Sequence, residues 1–188
     1  MAVAFAPGLR EDQNRSNRIC DVMRTRLKRV LITGMSGTGK SAVARELVAR
    51  GHRAVDLDTP DWSKWVDVAP TDTLTPAEGK DWIWREDRVR TLLLKQDQAP
   101  LFVSGCAENM ERLLPLIEIV ILLSAPVATI MKRLEARSAG SYGSTDEERQ
   151  KVGELLATIE PLLRQSTDHE IDTSDPVEVT VDKILKVI

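Results

Sequence analysis

Residues Gly34-Met35-Ser36-Gly37-Thr38-Gly39-Lys40-Ser41 satisfy the pattern G-x-x-x-x-G-K-[ST] and follow directly on the apolar run Val30-Leu31-Ile32. A strand that turns through such a loop into an amphipathic helix belongs in an α/β sheet, with the loop at the sheet's carboxyl edge. The residue types follow from what a phosphate needs. Gly34, Gly37 and Gly39 let backbone amides approach anionic oxygens closely. The helix starting near Gly39 turns its unpaired N–H groups and its positive dipole end on the same anion. Lys40 reaches the β- and γ-phosphates of a nucleotide, and the Ser41 hydroxyl is placed for the Mg²⁺ that bridges them. With Met35, Ser36, Thr38 and Ala42, the stretch 34–42 is the expected nucleotide cradle.

At 188 residues the chain fits one domain, large enough to bury about 70% of its unfolded surface. Its net charge is −3 with both signs mixed along the chain, which argues against a nucleic-acid footprint. No run of 18 apolar residues and no signal-peptide core is present, so the composition predicts a soluble cytoplasmic protein without a membrane partner. Cys20 and Cys106 are too few for a disulfide framework and read as free thiols. Residues 1–22 mix Pro, Gly, Asn, Gln and Arg without periodicity and are expected to be a poorly ordered extension, leaving 23–188 as the domain.

Beyond the loop, Ala42, Val43, Leu47 and Val48 keep helical spacing until Gly51. Strands are expected over 53–57, 100–104, 118–124 and 170–172, the third of these apolar on both faces. Thr75-Pro76-Ala77-Glu78 carries a capping box and predicts a helix that reaches about Lys95, with Gly79 a candidate break. Pro126–Arg137 predicts another, followed by a small polar loop over 138–144. Thr145-Asp146-Glu147-Glu148 opens a long helix kinked by Pro161, and Asp175 caps a closing helix over 176–188. Five strands alternating with helices imply a parallel sheet covered on both faces, with ligands at the strand carboxyl ends.

Two constellations lie at those ends. Asp56 and Asp58 flank Leu57, so the pleat sends both carboxylates to one side, toward the expected Mg²⁺ and substrate crevice. One can orient a metal-bound water while the other accepts a proton; Asp58 or Asp61 would equally suit the cap of a short following helix. Trp62, Trp65, Trp82 and Trp84 are all four tryptophans of the chain and fall within 23 residues, interleaved with Asp61, Asp81, Arg85 and Asp87. Core packing is one reading for them. A pocket that stacks a planar ring and bonds its edge is the other, and it makes Trp62 and Trp84 candidate acceptor contacts.

Together, the loop, Asp56-Leu57-Asp58, Trp84-Arg85-Glu86-Asp87 and Val103-Ser104-Gly105 resemble shikimate kinase. Arg133-Leu134 with Arg137 before a small-residue lid, and Thr158-Ile159-Glu160-Pro161 beyond it, resemble gluconate kinase. Both are P-loop phosphotransferases of the nucleoside-monophosphate-kinase-like group, and the similarity runs from about Val30 onward. The resemblance implies a three-layer α/β/α sandwich with a five-stranded parallel sheet, as in shikimate and adenylate kinases. It further implies that Asp58 contacts the acceptor, that Asp56 lies near Mg²⁺ and that Arg85 grips an anionic group of the acceptor. Arg133 would stack near adenine, and Arg137 would be the lid arginine. Gly105-Cys106-Ala107 stands where shikimate kinases carry three glycines, and Ser138-Ala139-Gly140 where gluconate kinases carry Gly-His-Phe.

Arginines suit this chemistry on physical grounds, because phosphoryl transfer gathers charge on equatorial oxygens that a rigid guanidinium matches. Arg133 could instead lie on a solvated helix face. The expected activity is ATP- and Mg²⁺-dependent transfer of the γ-phosphoryl to a small-molecule acceptor by a monomer or homodimer. Lys40, Asp58 and Arg137 would be catalytic, 59–90 the acceptor segment and 137–146 the lid. The alternatives are a nucleoside monophosphate kinase and a nucleotide-binding switch.

Overall fold

The computed structural model describes residues 28–69, 79–95 and 99–188. The extension over 1–22, Cys20 and the expected helix start at 75–78 lie outside them. Within the described residues, β1 (Arg29–Thr33) runs through the phosphate loop into α1 (Lys40–Ala49), and β2 (Arg53–Asp56) follows. Next come β3 (Ser63–Asp67), β4 (Lys80–Trp84), α2 (Glu86–Leu94) and β5 (Leu101–Ser104), and then a 3₁₀ segment over Glu108–Leu116. The chain closes through β6 (Ile119–Ser124), α3 (Val127–Glu135), α4 (Asp146–Thr158), α5 (Glu160–Gln165), β7 (His169–Asp172) and α6 (Val177–Val187).

The five-stranded sheet has the order β2-β5-β1-β6-β7, and each neighbouring pair is parallel. The central strand is apolar throughout because it is covered on both faces, and strand alternation divides its side chains between two cores. Val30 and Ile32 pack with Phe102, Ile121 and Leu123 against Val43 and Leu47 of α1 and Val181 and Ile184 of α6. Leu31 faces the other way, packing with Val103 and Leu122 on Val89, Leu92 and Leu93 of α2 and on Leu113. These are the three layers that the sequence implies. No described helix is long and apolar enough to cross a membrane.

The structure departs from the sequence expectation over 80–84. In place of one helix to Lys95 there is a second, two-stranded antiparallel sheet in which Trp65 faces Trp82 and Ser63 faces Trp84. The Trp65 and Trp82 rings lie 5.1 Å apart between centroids, a cross-strand aromatic pair of the sort that fixes hairpin register. Asp-Trp-Ile-Trp carries strong strand propensity, and helix starts only after Arg85, where Glu86 and Asp87 favour the first turn. Pro161 enters the first turn of α5, so it begins a new helix after Ile159 and does not kink one continuous helix. Asp175 is not a cap: Pro176 holds the cap position of α6, and Asp175 accepts instead from Lys183 Nζ (2.9 Å).

The hairpin is fastened to the main body by Asn109. Its Oδ1 accepts from Trp84 N and its Nδ2 donates to Trp84 O, both at 3.0 Å and both buried. Asn109→Ala removes both bonds and leaves two buried backbone groups unsatisfied, an expected loss of about 2–4 kcal/mol. Urea or thermal denaturation of the variant checks this; a change within about 0.5 kcal/mol, the usual range for surface substitutions, would show the contact to be idle.

Candidate active site

All the carboxyl ends that matter meet at one edge of the sheet. After β1 the chain takes positive φ at Gly34 (145°), Gly37 (88°) and Gly39 (99°), and no other residue type among the described residues adopts positive φ. Gly34 also has no room for a side chain, since a Cβ there would lie 2.4 Å from Leu123 O. No side chain caps the N-terminus of α1, so its first-turn amides stay available to an anion. Ser36 and Thr38 shape the loop from within, the Thr38 hydroxyl donating to Met35 O (2.8 Å). Ala42 lies in the helix's first turn. Ser41 is exposed there.

Lys40 folds back over the loop. Its Nζ donates to Gly34 O (2.8 Å) and lies 3.6 Å from Asp58 Oδ2, with the lysine side chain only 11% exposed. The Asp56-Leu57-Asp58 turn makes this possible. Leu57 is buried and its N–H donates to Ser104 O (2.7 Å), while Asp56 Oδ1 accepts from Asp58 N (3.1 Å). Both carboxylates therefore leave the core on one side, as the pleat argument predicts. Asp58 Oδ1 also accepts from Cys106 N (3.2 Å) and sits 3.5 Å from Trp84 Nε1. A Cβ on Gly105 would come within 2.7 Å of that oxygen and 3.0 Å of the Trp84 ring. Gly105 is what lets the two approach.

Burial pushes the Asp58 carboxyl above the ordinary carboxylate range; the Lys40 ammonium opposes this, and the neighbouring Asp56 charge adds to it. Burial likewise pushes up the thiol of Cys106, a free cysteine, which makes it a packing group and not a nucleophile.

Arg133 of α3 and Arg137, just beyond its end, close the site. Arg133 donates to Gly37 O (3.3 Å), Thr173 Oγ1 (2.9 Å) and Thr173 O (2.5 Å), tying the phosphate loop to the end of β7. Its guanidinium is thus held at the loop and is not on a solvated face. Arg137 donates to Ser36 Oγ (3.1 Å) and to Tyr142 O, and burial lowers its pKa. The loop after Arg137 is organised by a residue that the sequence marks only as half of a capping box. Glu148 Oε2 accepts from Gly143 N (2.8 Å) as well as from Thr145 N (3.2 Å).

The acceptor candidates divide. Trp84 is 2% exposed, so its packing alternative holds and it contributes an N–H to Asp58, not a ring face to a ligand. Trp62 is half-buried beneath the Arg88 guanidinium, 4.9 Å from the ring centroid. Arg85 is exposed at the start of α2, its Nε donating to Ser63 O (3.1 Å). The structure brings Lys40, Asp56, Asp58, Gly105 and Trp84 together; Arg85 and Trp62 flank the base of the hairpin next to Trp84, Arg85 N donating to Trp62 O (2.7 Å). For a cation, the oxygens of Ser41 and Asp56 are hard donors. No group of three or more His, Cys, Asp or Glu among the described residues builds a metal cage.

A model of the AAA domain family matches residues 30–153. Shikimate kinase 2 of Enterobacter sp. (strain 638) is 30% identical over 166 residues, 83% of this chain and 92% of that protein. The chain belongs to the AAA-domain P-loop proteins and, among them, with the shikimate kinases. Solved structures agree on the fold. Shikimate kinase from Acinetobacter baumannii in complex with shikimate gives a TM-score of 0.57 at 22% identity, covering 88% of this chain and 94% of that one. A gluconokinase from Sinorhizobium meliloti 1021 gives 0.52 at 15% identity, covering 85% and 90%. The protein is a small-molecule kinase, and ATP use comes with its family.

In such a kinase Lys40→Met keeps the side chain's bulk and removes its charge. ATP affinity should fall at least tenfold and transfer by about 10² or more, with the far-UV spectrum unchanged. Calorimetric ATP titration checks this; wild-type affinity would refute the cradle. Arg137→Ala should lower kcat by about 10-fold or more while changing the KM for ATP less, because its charge acts on the transition state. A loss confined to KM would make the 137–146 segment a binding loop only.

Proposed function

We propose that this kinase transfers the γ-phosphoryl of ATP, with Mg²⁺, to a hydroxyl of a small-molecule acceptor, and that Asp58 is the proton acceptor. One observation carries the reading: the Asp58 carboxylate lies 3.6 Å from the ammonium that serves the phosphates. A group so placed touches both the nucleotide's end and whatever attacks it. The acceptor hydroxyl gives its proton to Asp58 as its oxygen bonds to the γ-phosphorus, and the bond from that phosphorus to the β,γ-bridging oxygen breaks to release ADP. The raised pKa suits the role, since a base is most effective when its pKa approaches the working pH. Trp84 Nε1 and Cys106 N hold the carboxylate in place. Lys40, the loop amides and Arg137 bear on the phosphoryl oxygens. Bound Mg²⁺ would supply further charge neutralisation on the β- and γ-phosphates, near Ser41 and Asp56. Arg133, through Gly37, fixes the loop and leaves its aliphatic stem to an adenine.

The acceptor differs from those named for the relatives. Gly105-Cys106-Ala107 and Ser138-Ala139-Gly140 depart from the shikimate and gluconate patterns at the two places nearest the acceptor and the lid. The hairpin with Arg85 and Trp62 forms the acceptor's side of the crevice. A cytoplasmic monomer or homodimer working on a free metabolite completes the reading.

Asp58→Asn keeps the shape and removes the base. For a hydroxyl acceptor kcat should fall by about 10² or more. A change below about threefold would favour phosphate as the acceptor group, the nucleoside monophosphate kinase alternative. The base must be ionised, so wild-type kcat/KM should drop as pH falls through a pKa above the ordinary carboxylate range. Asp56→Asn should move that limb to lower pH by removing a like charge. An acid limb that stays in place would show that Asp58 does not set it.

A further inference from the structure

At the base of the hairpin two exposed guanidinium groups stand without a counter-ion. Arg85 holds the cap position of α2 and Arg88 follows three residues on, so helical spacing sets both side chains on one side of its first turn. Each is anchored on the turn that leads away from Asp58. Arg85 Nε donates to Ser63 O (3.1 Å) and to Pro60 O (3.4 Å), and the Arg88 guanidinium lies 4.9 Å from the centroid of the Trp62 ring. Pro60 is two residues from Asp58, a span of about 7 Å at most. On the other strand Trp84 directly precedes Arg85, and its Nε1 is 3.5 Å from Asp58 Oδ1. Both chain segments that hold the arginines therefore start at the Asp58 carboxylate.

Neither arginine makes an ion pair among the described residues. Glu86, the nearest carboxylate in sequence, is taken by Arg90 (3.1 Å) and Arg112 (3.5 Å). Asp61 and Asp87 are exposed and pair with neither. Like charges one turn apart repel, and cations at a helix N-terminus oppose its dipole. Stacking on Trp62 offsets this only in part. The free protein thus keeps two uncompensated positive charges beside its acceptor crevice, with the outer N–H groups of both forks open to an anion.

We propose that Arg85 and Arg88 together form a dianion site, and that the acceptor is a metabolite already carrying a phosphomonoester, which is held there while its free hydroxyl meets Asp58. A carboxylate carries one charge and is satisfied by one guanidinium fork. A phosphomonoester carries nearly two charges and three acceptor oxygens, enough for both forks. Arg88 is the residue that turns a single-anion contact into a dianion site, and the Trp62 ring fixes its plane. The phosphate is the handle and stays unchanged; the hydroxyl receives the new phosphoryl group. The inference rests on the kinase reading of the same crevice and names its substrate class.

The test uses the full-length protein saturated with adenylyl imidodiphosphate and Mg²⁺, so that the phosphate loop is already filled. Melting temperatures are compared at one ionic strength with fructose 6-phosphate and glycerol 3-phosphate, with gluconate and shikimate, and with fructose and glycerol. At least one phosphomonoester should add about 2 °C or more to the shift given by the analogue, and no acid or neutral compound should add half as much. Arg88→Gln removes the charge at an exposed position, so the unliganded melting temperature should change little. It should abolish the advantage of phosphomonoester over acid and leave the analogue's own shift intact. Arg88→Lys keeps the charge without the fork and should retain a smaller advantage. An acid or neutral compound that matches the phosphomonoesters, no added shift from either phosphomonoester, or an advantage that survives Arg88→Gln overturns the inference. Loss of the nucleotide analogue's own shift in wild type would overturn the kinase reading instead.

Discussion

A single ammonium ties this molecule together. Lys40 Nζ bonds the carbonyl of Gly34 at the start of the phosphate loop and faces the Asp58 carboxylate at the end of the neighbouring turn. Both groups can reach it only because β1, β2 and β5 end side by side in a parallel sheet. The backbone pairing continues past β2, Leu57 N to Ser104 O, so the position of Asp58 is fixed by the same ladder that builds the sheet. Sheet order, loop and base are thus one constraint.

Much of this was legible in the sequence because the signals were local. The G-x-x-x-x-G-K-S pattern and the flanking apolar runs specify loop and strands without help from distant residues, and the Asp-Leu-Asp alternation places two carboxylates on one side by the pleat alone. The hairpin was not legible. A capping box at Thr75–Glu78 and a helix over Glu86–Leu94 bracket Lys80–Trp84, and five residues are too few for periodicity to decide between helix and strand. The available signal was composition: two tryptophans at alternating positions with an isoleucine between them favour a strand, and the partner strand has its own Trp65 directly opposite Trp82.

The parts of the site that sequence reasoning missed are long-range. Asn109 pins Trp84 from 25 residues away and lies in a 3₁₀ segment that no pattern announces. Arg133, expected beside adenine, also reaches Thr173 across 40 residues, a long-range contact that makes it a brace for the phosphate loop. Glu148 reads as a helix cap and is one, yet the same oxygen also holds Gly143 and so shapes the loop before α4. Trp84 looked like a ligand-stacking ring; the core claims its ring, and only its N–H faces the site.

In the proposed mechanism Asp58 is a carboxylate kept as a usable base by burial and restrained by Lys40. Carbon-13 NMR titration of the Asp58 carboxyl in wild type and in Lys40→Met tests this without any acceptor. The account predicts a wild-type pKa above the ordinary carboxylate range and a further rise when the lysine charge is removed. An Asp58 that titrates at or below that range, unmoved by Lys40→Met, would contradict it.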